Sequence, residues 1–157
     1  MVIFCILFCF TKTHWYMDLK VNYYRNRLQD SFSRQFAQYE EIAKAFINSL
    51  ESPYYTRLGT SEHVTNAMCD NIETIQKDCI VAIDKIYIAD ETYDAYPINA
   101  CVFSTTVERG EFVYAWVELV YSTRSVESLF SSYDEAVENQ FIIELSDNWY
   151  IMTHYGY

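Results

Sequence analysis

The chain predicts an α+β fold, helices packed on an antiparallel sheet, and three observations carry the prediction. Apolar residues at Leu28, Phe32, Phe36, Tyr39, Ala43, Phe46 and Leu50 recur every three or four positions, the spacing of one helix face. From Phe112 to Tyr121 and from Gln140 to His154 the period falls to two, the spacing of one strand face. The helix-period segments precede the strand-period ones, which is the order of an α+β domain rather than of an alternating α/β one. A chain of 157 residues with no internal repeat or low-complexity linker fits one domain, large enough to bury a core without disulfide or metal staples.

Residues 1–16 stand apart. Val2 to Phe10 is an apolar run too short to span a bilayer and about as long as the hydrophobic region of a signal peptide. No Lys or Arg precedes it, Lys12 follows it, and no small-x-small cleavage site occurs before Trp15. It reads as a degenerate export signal or, preferably, as an upstream extension of a chain that starts at Met17. The protein is exported in the first case and cytoplasmic in the second. In both, the single domain is residues 17–157.

Residues 18–27 are polar and aromatic and lead into a first helix from about Asp30 to Ser49. Glu40 and Lys44, four apart, belong to its solvated side. Ser52-Pro53 ends it, because the residue before proline is pushed out of the helical region. Pro53 to Thr60 is a connector, and Gly59-Thr60-Ser61-Glu62 reads as the start of a second helix, with a capping hydroxyl and an early acid. Its buried stripe is Val64, Ala67, Met68, Ile72 and Ile75.

The strands follow. Ile80 to Ile88 is rich in β-branched residues and carries Asp84 in its middle; Pro97 marks a bend or an edge. Ile98 to Glu108 and Glu111 to Thr123 flank Arg109-Gly110, a hairpin turn in which glycine supplies the positive φ. Thr123 to Ala136 is a Ser-rich connection with a short helical turn near Val126 to Phe130. Val137 to Leu145 and Trp149 to Tyr155 are joined by the turn Ser146-Asp147-Asn148.

Composition limits the partners. A formal net charge of −11, from 22 acidic and 11 basic residues, repels phosphate backbones and anionic lipid and excludes nucleic acid as the expected partner. The 15 Tyr and 10 Phe suit either an aromatic core or a pocket or interface that tolerates partly exposed rings. Cys69, Cys79 and Cys101 lack both a C-x-x-C pair and a zinc spacing with the three His, so they read as free thiols, and no metal or other cofactor is expected.

The closing segment Phe141-Ile142-Ile143-Glu144-Leu145-Ser146-Asp147-Asn148-Trp149-Tyr150-Ile151, preceded by helices and strands in this order, resembles the nuclear transport factor 2-like (cystatin-related cone) superfamily. In that family a Trp after a polar turn packs at the end of the cone. The resemblance spans about residues 18–157 in element order and implies that the sheet is curved around a pocket. Its members include small-molecule isomerases and dehydratases, transport and secretion adaptors, and accessory domains, so fold alone does not select a function. The outline is also similar to the accessory region that precedes the papain-like catalytic part of bacterial secreted amidases. The catalytic Cys and His motif of those proteins is absent here.

The candidate site residues follow from position. Asp84 shares strand parity with Ile80, Ala82, Ile86 and Ile88, so it is expected to point inward, where burial would raise its pKa toward proton transfer. His63, in the first turn of the second helix, is the second candidate acid or base, although a solvated polar role suits that place better. Glu118 and Glu144 fall on the strand faces opposite the small apolar rows and mark the outer face. His154 has no nucleophile in its local motif context, so a triad is unsupported. Phe112, Tyr114 and Trp116 lie opposite Val113, Ala115 and Val117, giving a sheet apolar on both faces that two helices can cover only once. The sequence therefore favours a noncatalytic binding module for a small apolar ligand or a protein, forming a homodimer through Phe112, Tyr114 and Trp116 and having no stable membrane span. The alternative is an isomerase or dehydratase using Asp84 and His63.

Overall fold

The computed structural model describes residues 2–49, 53–57, 59–60, 64–79, 81–89, 100–109, 114–123 and 142–156, the side chains of residues 2–14, 59, 60, 108, 109, 114 and 156 excepted. The chain is α+β, as its change of period predicts. Helices α1 (Val2–Arg34) and α2 (Phe36–Ile47) come first. Strands β1 (Tyr54–Thr56) and β2 (Gly59–Thr60), helix α3 (Asn66–Asp78) and strands β3 (Lys85–Ala89), β4 (Ala100–Arg109), β5 (Tyr114–Tyr121), β6 (Ile142–Ser146) and β7 (Trp149–Gly156) follow. The strands form one open antiparallel sheet in the order β2-β1-β3-β4-β5-β7-β6.

The first helix differs from its expected bounds. Residues 18–27 are not a lead-in but the middle of α1, and Met17, Val21, Leu28 and Phe32 form its buried stripe at helical spacing. Their period is hard to see in sequence because Trp15, Tyr16, Leu19 and Tyr23, on other faces of the helix, are also apolar yet exposed. The expected single helix from Asp30 to Ser49 is two, bent at Gln35 (φ −125°, ψ 33°). Just before the bend the Ser33 hydroxyl donates to the Gln29 carbonyl four residues back at 2.8 Å, a local bond of the kind that bends helices.

Helix α3 starts later than the Gly59-Thr60 signal suggests. Gly59 and Thr60 pair with Thr56 and Tyr55 as a short edge strand, in a segment expected to be a connector. The cap is Thr65, whose hydroxyl accepts the Met68 N–H at 3.3 Å. Met68, Ile72 and Ile75 are the buried face of the helix, while Ala67 of the expected stripe is exposed. The turn between β6 and β7 falls at Asp147-Asn148 as expected, with Asn148 at a φ of 71°, a left-handed conformation that Asn tolerates.

The core lies between the helices and one face of the sheet. Trp149 sits at its centre, with ring centroids 4.9 Å from Phe32, 5.0 Å from Tyr121 and 6.0 Å from Phe103. Tyr39 of α2 packs edge-on against Phe103 at 5.2 Å, and its hydroxyl is 3.1 Å from that of Ser31. Burial pushes the Tyr39 phenol far above its usual pKa, so it stays neutral. Ile143 of the neighbouring strand packs against this core, and Phe141 lies outside the described residues.

The opposite face of the sheet is also buried. Ala89, Ala100, Val102, Val120, Ile142, Tyr150 and Met152 form a second apolar cluster there. These residues are covered within the single chain, so a second copy is not required as their cover. The segments 90–99 and 124–141, with the expected helical turn near Val126 to Phe130, lie outside the described residues. Cys69, Cys79 and Cys101 are free thiols, and complete burial raises the pKa of Cys101 well above the usual thiol range.

Candidate functional site

The pleat of β5 sends Ala115, Val117 and Leu119 toward the helices and Trp116, Glu118 and Val120 the other way. Antiparallel pairing with β7 sets His154 directly across from Trp116 and Met152 directly across from Glu118. On the far side of β4, Tyr87 of β3 is paired with Val102, which is itself paired with Val120. Three strands and one register thus gather Tyr87, Trp116, Glu118 and His154 on the face away from the helices.

The resulting geometry is specific. Glu118 is 1% exposed, and both of its carboxylate oxygens have donors. Oε1 accepts the Tyr87 hydroxyl at 3.2 Å, and Oε2 accepts Nε2 of His154 at 3.0 Å. The imidazole lies nearly parallel to the Trp116 ring, 5.1 Å between centroids and 12° between planes. A carboxylate buried beneath a sheet costs free energy unless its oxygens are bonded, and here each is. The bond from Nε2 also fixes the ring orientation of His154. The His154 side chain keeps 20% of its surface exposed, so the buried carboxylate is coupled to solvent through an imidazole.

Glu118 and Glu144 were both expected to mark an outer, solvated face. Glu144 is exposed, but Glu118 is buried on that same side because the second apolar cluster surrounds its row. The sequence shows a charge in an apolar strand and a His near the last strand; it does not show the β5–β7 register that joins them.

Asp84 sits elsewhere. It is not in the middle of a strand but just before β3, and the fully buried neighbours are Ile83 and Ile86, so the parity that pointed it inward does not apply. Its Oδ2 accepts the Thr106 N–H at 2.8 Å, beyond the point where β3 stops pairing with β4. Its Oδ1 is 3.5 Å from Nη1 of Arg57, and its backbone bonds to Ser104 and Arg57. This carboxylate extends the ladder at the β4 bulge between Thr106 and Glu108. His63 and Phe112 lie outside the described residues, as does the side chain of Tyr114, whose backbone pairs with Arg109 and Gly156. Trp116 is half-buried.

Among the described residues no cluster of His, Cys, Asp and Glu could hold a metal ion. Among the same described residues no helix is long and apolar enough to cross a membrane. No family model matches this chain, and no curated protein or solved structure matches it.

Proposed function

We propose that this chain is a noncatalytic binding module of the nuclear transport factor 2-like kind, associating with a second copy through the Trp116 end of its helix-distal sheet face. The cone-like reading is supported by the order of elements and by Trp149 packing at the core directly after the Asp147-Asn148 turn. The binding reading rests on one observation: Phe32, Tyr39, Phe103, Tyr121 and Trp149 pack against one another between helices and sheet, where a catalytic cone would hold its substrate. Asp84, the expected pocket acid, spends its carboxylate on the sheet ladder.

The copy-to-copy contact at Trp116 is supported by burial of the middle of the helix-distal face, whereas Trp116 and its stacked partner His154 keep part of their surface exposed. Partly exposed aromatic rings beside a closed apolar patch suit an interface. Sedimentation velocity at micromolar concentration tests this reading: the wild type runs as a dimer and Trp116→Glu as a folded monomer. A monomeric wild type overturns it.

The second reading, an isomerase or dehydratase, draws on Glu118 and His154 rather than Asp84 and His63. An imidazole oriented by a buried carboxylate is a general-base arrangement. That reading requires Nδ1 of His154 to face a substrate.

A further inference from the structure

We infer that the outward face of α1 is a docking surface for an anionic lipid bilayer, on which the helix lies in the plane of the headgroups. Four large apolar side chains crowd the exposed side of α1. Trp15 is 65% exposed, and Tyr16, Leu19 and Tyr23 are each about half exposed. Trp15, Leu19 and Tyr23 are spaced four apart and form a stripe opposite the buried Met17, Val21 and Leu28. Two cations lie on the aromatic members. Nζ of Lys20 sits 4.6 Å from the centroid of the Tyr16 ring, and the guanidinium carbon of Arg27 sits 5.2 Å from that of Tyr23. Asp18, the acid nearest the stripe in sequence, accepts the Tyr155 hydroxyl at 3.1 Å and is thereby tied to the sheet.

Charge selects the occupant. The 33 residues of α1 hold five basic residues and two acids, a net of +3 in a chain of −11, and one of the five, Arg34 at the far end of the helix, is ion-paired with α3 through Asp78. The remaining residues therefore carry −14. A neutral apolar partner would not need this segregation. An anionic surface attracts the helix and repels the body, which orients the molecule with α1 down. Tyr and Trp with Lys and Arg at a membrane–water boundary match the chemistry of headgroups, with rings at the interface and cations on phosphates. The net charge of the whole chain predicts repulsion from anionic lipid, but contact is made by a helix and not by an average.

Flotation of the full-length protein with vesicles tests the inference. With vesicles of phosphatidylcholine and phosphatidylglycerol at low salt, the protein is expected to float; with pure phosphatidylcholine, or at molar salt, it is expected to stay at the bottom. Replacing Lys20 and Arg27 together by Gln is expected to weaken binding about thirty-fold at low salt, each base near the surface contributing about a fivefold factor. Trp15→Ser with Leu19→Ser is expected to abolish flotation while leaving the far-ultraviolet circular dichroism unchanged, since neither residue is buried. Absence of flotation on anionic vesicles overturns the inference, and so does binding that ignores salt and the double Gln replacement. A lipid-free dimer that Trp15→Ser with Leu19→Ser converts to monomer assigns the face to a second copy and overturns it as well. Trp116→Glu is expected to leave flotation intact, which separates this face from the proposed dimer contact.

Discussion

Trp149 is the residue at which the helices meet the sheet: Phe32 of α1, Tyr39 of α2 and Phe103 of β4 all place rings against it. Replacing it by Ala removes the common partner of five rings, those of Phe36 and Tyr121 included, and is expected to cost about 3–5 kcal/mol, read by denaturant titration. A loss under about 1 kcal/mol, the scale of surface changes, would place it outside the core. Glu118 is expected to behave differently. Glu118→Leu removes the acceptor of the Tyr87 hydroxyl and of Nε2 of His154 and is expected to cost about 1–3 kcal/mol. Combining it with Tyr87→Phe and His154→Phe is expected to recover most of that loss, because both donors to the carboxylate are then removed with it. Recovery would show that the polar group is not kept for stability. These two residues also mark what was legible. Trp149 announced itself by following a polar turn in an apolar strand pair, a local pattern. Glu118 and His154 were visible as singular residues, but their meeting depends on register between strands 36 positions apart in sequence, which no local pattern encodes.

The ends of α1 and α3 are tied by Arg34 and Asp78, Nε to Oδ2 at 2.9 Å. That hydrogen bond, with a second from the Gln35 amide, holds the Asp78 carboxyl below its usual range. A carboxyl depressed in the folded state stabilises the fold at pH above the unfolded carboxylate value, and this contribution is lost as pH falls through the folded value. Asp78→Asn is therefore expected to flatten the acid side of the profile of Tm against pH and to leave its neutral-to-basic part unaltered in shape. An identical acid slope in the variant would show the pair to be silent. The elements themselves divide cleanly by how local their signals are. The α2 stripe, the α3 stripe and the strands β4, β5 and β7 were readable from period. Strands β1 and β2 were not, since three and two residues are too few for alternation to register and they exist by pairing with β3 and each other. The place of Asp84 was hidden for another reason: a polar residue just before a strand looks, in sequence, like one inside it.

For the molecule as a whole, the first core residue of α1 among the described side chains is Met17. Removing residues 1–16 is therefore expected to leave thermal unfolding nearly unchanged, while a drop of many degrees in Tm would show that the early turns of α1 support the fold. The same shortened chain is expected to bind anionic vesicles more weakly, because it loses Trp15 and Tyr16. Stability and surface attachment thus separate along one helix, whose later turns hold the sheet and whose outward side faces away from it.

Strand order carries one more consequence. β7, later in the chain than every other described strand, lies between β5 and β6. While Trp149–Gly156 is still inside the ribosome, β5 presents an open edge, β6 has no described neighbour to pair with, and the Trp149 position in the core is unfilled. An open apolar edge is a template for pairing with other chains. The emerging polypeptide is thus most exposed to aggregation in the interval between synthesis of β5 and release of β7, which is when a chaperone would matter most to it.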